Sequence, residues 1–110
     1  MNKDPEILLR HILESIEALQ GYLSGIDEAG YLASMEKQDA AERRLQVVGE
    51  AIVQLPNDFK NAHPDIPWTK VAGLRNRLVH EYFDIDHKLV WNILEKSLPE
   101  FKEQIKKIIH

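Results

Sequence analysis

Cysteine is absent from the 110-residue chain. Its absence removes disulfides, cysteine zinc sites, iron–sulfur clusters and thiol nucleophiles together, and agrees with a reducing compartment. Long apolar runs are missing too. No stretch approaches the roughly 20 residues that a bilayer requires, and Met1 to Leu9 lacks the basic-then-apolar pattern of a secretory leader. A cytoplasmic protein without membrane association is therefore expected. Nor is there an excess of positive charge: 14 Lys and Arg stand against 18 Asp and Glu, a net charge of −4. That balance argues against gripping long nucleic acid by bulk electrostatics, which takes a basic surface, but it leaves room for a local basic site. Strand alternation, internal repeats and low-complexity segments are not found. What is present, 44% apolar and 29% charged residues, is ordinary globular usage and excludes a disordered tail, a collagen-like repeat and a coiled-coil rod. The length predicts one domain over residues 1–110.

The apolar spacing is helical almost throughout. Asp4-Pro5 reads as an N-cap followed by proline at the first helical position. Leu8, Ile12, Ile16, Leu19 and Leu23 then recur at steps of three and four, with Gly21 and Gly25 marking the fraying end. Residues 24–34 read as a connection with room for one helical turn around 27–32. A second long helix is predicted from about Glu36 to Leu55, with Ala41, Leu45, Val48, Ile52 and Leu55 inward. Pro56-Asn57 stops it, and 57–66 reads as a loop. Trp68 to about Tyr82 forms the third helix. Asp86 is the expected N-cap of the last one, which carries Val90, Leu94, Phe101, Ile105 and Ile108. Pro99 inside it implies either a kink or a junction of two helices. The expected fold is all-α, an up-and-down bundle of four to five helices.

The third helix has two distinct faces. At about 100° per residue, Leu74, Leu78 and Tyr82 fall within about 60° of Val71 and make the core stripe. Arg75 falls on the flank of that stripe. Gly73, Asn76 and His80 share a face about opposite the core, and a glycine, an amide and an imidazole are not the Lys/Glu mixture of a solvated helix. Asn76 and His80 are four apart and can touch. Arg75 and His80 are five apart, about 140° around an ideal helix, so they do not lie side by side. For both to act on one substrate, the helix must unwind near His80, or a second copy must supply a partner across a twofold axis beside Gly73.

A histidine serves as acid or base near neutral pH, an arginine holds a phosphate and stabilises charge developing on it, and an asparagine can fix an imidazole or donate to an oxyanion. This set suits attack of a ribose 2′-hydroxyl on the adjacent phosphate without metal. The bland alternative is an amphipathic helix with solvated polar residues and a dimer contact. Between Lys60 and His80 the charged residues are Lys60, Asp65, Lys70, Arg75 and Arg77, four cations to one carboxylate, so the acid excess lies elsewhere.

The string Arg75-Asn76-Arg77-Leu78-Val79-His80-Glu81-Tyr82 resembles the R-x-x-x-x-H-x-Y motif of HepT-like toxins, a branch of the HEPN superfamily. Val48-Gly49-Glu50-Ala51, Pro67-Trp68, Ala72-Gly73-Leu74, Val90-Trp91 and Leu98-Pro99 extend the resemblance over about residues 4–108. It implies an all-helical homodimer whose two motif helices, through Gly73, Asn76 and His80, form a composite cleft. It implies a metal-independent endoribonuclease leaving a 2′,3′-cyclic phosphate, with no cofactor. His80 would be the acid/base residue, Arg75 the phosphate and transition-state ligand, and Asn76 an orienting group. The implied partner is a minimal nucleotidyltransferase antitoxin that transfers AMP to Tyr82, placing negative charge where RNA must enter. A different class of function also fits the sequence: a non-catalytic helical dimer that binds nucleotide or docks onto such a nucleotidyltransferase.

Other residues take their readings beside these. Glu50 is either a surface glutamate or the carboxylate that an arginine flanking a core requires, supporting Arg75 from across the bundle. Lys70 and Arg77 are candidate RNA contacts at the cleft rim. Trp68 and Trp91 could stack bases, but packing is the favoured role. His80 and His87 with the acids between them do not make a metal pattern, so no metal site is expected. His11, His63 and His110 read as surface residues, and Lys102, Lys106 and Lys107 as a solvated helix end.

Overall fold

A computed structural model describes residues 4–80 and 84–109. Helix α1, Pro5–Tyr22, starts where Asp4 accepts a hydrogen bond from the Glu6 backbone N–H at 2.9 Å, one of the orphan donors that a cap exists to satisfy. Its stripe, Leu8, Ile12, Ile16 and Leu19, is buried. Gly25, at φ 82°, takes the left-handed turn that lets the chain reverse. Asp27 caps the one-turn helix α2, Glu28–Leu32, through the Gly30 N–H at 2.8 Å. Ser34 caps α3, Met35–Gln54, through the Lys37 N–H. The expected inward residues of α3, Ala41, Leu45, Val48 and Ile52, are all buried, as is Leu55 just beyond it.

The segment expected as a loop contains a short helix, α4, Asn57–Asn61. It is polar apart from Phe59, which packs against the core and against Trp68, ring centroids 6.4 Å apart. Five residues are too few for an apolar period to show, which is why the pattern missed it. Helix α5 spans Trp68–His80. Val71 and Leu78 are buried and Leu74 is half-buried; Tyr82, expected on the same stripe, lies outside the described residues.

Asp86 caps α6, His87–Asn92, through the N–H groups of Lys88 and Leu89, both at 3.1 Å. A π turn, Ile93–Ser97, joins α6 to α7, Leu98–Ile108. Pro99 lies in the first turn of α7. A proline there donates no N–H and crowds the carbonyl four residues back, and the widened turn just before it relieves that conflict.

Among the described residues there is no strand. Helix α3 lies between α1 and α5, α7 packs on α1, and α2 bridges α3 and α6. The core is one apolar cluster drawing on every long helix. No described helix is long and apolar enough to cross a membrane.

Candidate active site

The site begins where α3 and α5 cross. A Cβ placed on Gly49 of α3 would lie 2.6 Å from Cβ of Arg75 on α5, so only glycine permits this approach. The close crossing brings the next residue of α3, Glu50, within reach of Arg75. Arg75 Nε donates to Glu50 Oε1 at 2.6 Å, and Arg75 Nη1 donates to Asn76 Oδ1 at 2.9 Å. Arg75 is thus tied on two sides while its side chain keeps 33% exposure. Asn76, whose oxygen is used by Arg75, is exposed and has its amide N–H donors to offer. Glu50 and Arg75 meet as an ion pair, the second of the two roles that the sequence left open for Glu50.

Arg75 and Asn76 face an open groove between the end of α3, helix α4 and the first half of α5. Lys70 and Gly73 line it as well, together with Lys60, Asn57 and Asn61. Among the described residues no carboxylate lines it, in a chain with 18 Asp and Glu. A cationic groove in a net-acidic protein focuses potential on an anionic ligand. Lys60 Nζ also donates to the Ile52 carbonyl at 3.2 Å, holding α4 against the end of α3. Nothing lies within 4 Å of a Cβ built at Gly73, so that face of α5 is open for close approach from outside.

The other predicted residues are distributed unevenly. Arg77 stands away from the groove. It lines a smaller, apolar cleft on the other flank of α5, with Leu45, Leu78 and the chain around Asp84 to Asp86. Lys70 and Arg77, paired in the sequence reading, are thereby separated. His80 is the last residue of α5 and has helical backbone, one turn beyond Asn76. Tyr82 lies outside the described residues. Trp68 is 6% exposed; its Nε1 donates to the His63 carbonyl at 3.1 Å and its ring meets Phe101 edge-on. It is a packing residue, not a platform for bases. Trp91 is buried beside Tyr31, ring centroids 5.3 Å apart.

A polar cluster was missed. Glu42 on α3 is buried and accepts from the Tyr31 hydroxyl at 3.2 Å, with His87 Nδ1 at 2.8 Å from the same oxygen. Burial, and secondarily the Glu42 carboxylate, hold the Tyr31 hydroxyl protonated well above the ordinary tyrosine range. The available signal was register: Glu42 is seven residues before Gly49, on the same edge of the α3 stripe.

Comparison with known proteins adds an independent line. The family model described as Ribonuclease HepT-like matches residues 12–108. The chain is similar, at 41% identity over 99% of its length, to a Methanocaldococcus jannaschii protein named as a gamma-glutamylcyclotransferase and candidate RNase, of which it spans 49%. It is 33% identical over 98% of its length to a candidate ribonuclease HepT of Thermococcus cleftensis, spanning 98% of that protein. It is also 30% identical, over 71% of its length and 69% of the relative's, to the tRNA nuclease HepT of Aphanizomenon flos-aquae. No solved structure matches the chain.

Proposed function

The chain belongs to the HepT-like ribonuclease family, and from that premise we propose that it is a metal-independent endoribonuclease, the toxin of a HEPN/nucleotidyltransferase toxin–antitoxin pair, acting as a cytoplasmic homodimer. The observation that carries this reading is the Glu50–Arg75–Asn76 chain beside a groove whose described lining holds Lys60, Lys70 and Arg75, one turn before His80.

In the proposed reaction His80 takes the proton of a ribose 2′-hydroxyl. The 2′ oxygen attacks the adjacent phosphorus, the bond from phosphorus to the 5′ oxygen breaks, and that oxygen leaves with a proton from an imidazolium. The products are a 2′,3′-cyclic phosphate and a 5′-hydroxyl. Arg75 turns its outer guanidinium nitrogens to the phosphate and stabilises the charge that builds on it. Glu50 is a positioning residue that holds Nε, and Asn76 directs its amide into the cleft. Because Arg75 and His80 stand about 140° apart on an ideal helix, a twofold beside Gly73 would set the Arg75 of one protomer against His80 of the partner subunit. Gly73, Asn76 and His80 form that interface. Lys70, which lines the groove, contacts flanking RNA. AMP transfer to Tyr82 by a minimal nucleotidyltransferase adds phosphate charge at the entrance and repels the substrate.

The test compares purified wild type with His80→Ala and Arg75→Ala on bulk cellular RNA in EDTA, with transfer RNA as the first defined substrate. Cleavage by wild type alone, with 2′,3′-cyclic ends, is expected. Equal cleavage by all three proteins would overturn the assignment. Intact mass identifies a silenced sample by excess in whole AMP units. An unmodified and inactive wild type instead favours the non-catalytic dimer that docks onto a nucleotidyltransferase.

A further inference from the structure

The groove at Arg75 runs along the first half of α5, and its far wall is α4. Asn57 and Asn61 are four apart on that helix, so they present on one side; both are exposed, and neither side chain is engaged by a described protein group. Across from them stand Lys70 and Arg75, and Val53 supplies an exposed apolar surface, 56% accessible, between the helices. Cations for phosphates, amides with both donor and acceptor for base edges, an apolar patch for a base face and a described lining without Asp or Glu are the ingredients of a nucleic-acid track. The groove is open along its length, which suits a polymer passing through more than an enclosed small molecule.

We propose that α4 and the first turns of α5 form a substrate-selecting wall for a single-stranded stretch of RNA flanking the cleaved phosphate. Asn57 and Asn61 contact base edges, and Lys70 contacts a phosphate. The proposal rests on the ribonuclease reading above and extends it to the class of substrate. Amide contacts to Watson–Crick edges need unpaired bases, because pairing occupies those edges and an A-form duplex keeps its major-groove edges out of side-chain reach.

The test uses cleavage-inactive His80→Ala protein and a fluorescein-labelled, mixed-sequence single-stranded RNA oligonucleotide, followed by anisotropy. Adding Asn57→Ala, Asn61→Ala and Lys70→Ala together is expected to raise Kd about tenfold or more. The Lys70 change alone should reduce the salt slope by about 0.7. With His80 intact, the three substitutions should raise KM and leave kcat in place. Lys60 is kept in every variant because its Nζ holds the Ile52 carbonyl; Lys70→Glu serves as a single-site check and should weaken binding more than Lys70→Ala. Unchanged Kd and KM in a protein with an unaltered melt overturn the inference. So does an equal loss on duplex RNA, or conversion of a dimer to a monomer in native mass spectrometry, which would give the groove to a second copy. Wild type of unmodified mass that neither binds nor cleaves RNA would remove the ribonuclease reading itself, whereas wild-type cleavage with unaffected α4 variants removes only this inference.

Discussion

Replacing Gly49 with alanine tests the crossing on which Arg75 depends. The added Cβ would meet Arg75 Cβ at 2.6 Å, against an ordinary contact of 3.4 Å, so α5 must retreat by about 0.8 Å from α3. Overpacking of this kind costs about 1–3 kcal/mol, and the gain from replacing a mid-helix glycine returns about 0.5–1 kcal/mol. The difference runs from about 0 to about 2.5 kcal/mol, a loss centred on about 1 kcal/mol. Gly21 supplies the internal control. It lies in the last turn of α1, and nothing stands within 4 Å of its Cβ position, so Gly21→Ala should keep a gain below the mid-helix figure of about 0.5–1 kcal/mol. Urea melts at one protein concentration should therefore move in opposite directions for the two substitutions. The retreat also stretches the Glu50–Arg75 contact, so RNA cleavage should fall in Gly49→Ala and hold in Gly21→Ala. Equal stabilisation by both alanines would refute the close-crossing argument.

Glu50 and Arg75 are both partly exposed, so screening limits their ion pair to about 1 kcal/mol or less of stability. Glu50→Ala should thus melt within about 1 kcal/mol of wild type while lowering kcat for RNA, and Glu50→Gln, which keeps an acceptor for Nε, should recover part of the loss; identical kinetics for all three proteins would remove Glu50 as a positioning residue. The Tyr31 hydroxyl predicts an alkaline weakness. Its folded-state pKa is raised, so the unfolded chain releases the proton first, and stability is full below about pH 10 and declines above it by up to about 1.4 kcal/mol per pH unit. Chemical denaturation from pH 8 to 11 should show that decline in wild type and a flatter profile in Tyr31→Phe; matching slopes would assign the decline to other groups.

Much of the scaffold is legible in the sequence because each long helix buries a stripe, and a stripe leaves a period. Leu8 to Leu19, Ala41 to Leu55 and Val90 to Ile105 can be read that way, and Asp4 and Asp86 announce the helices that they cap. Helix α4 has no period to read, and Pro99 admits two geometries until the π turn decides between them. The polar pairs follow a different rule. An arginine on the flank of a core demands a carboxylate, which made Glu50 a candidate, but its partnership spans 25 residues, and that of Glu42 with His87 spans 45. Such pairings depend on where the rods cross rather than on repetition along either one. Lys70 and Arg77 illustrate this: they are seven apart and nearly aligned on the wheel, yet one borders the groove beside α4 and the other the chain around Asp84 to Asp86. Gly49 is the point where the two rules meet, since a missing side chain on the α3 stripe sets the crossing, and the crossing delivers Arg75 to Glu50.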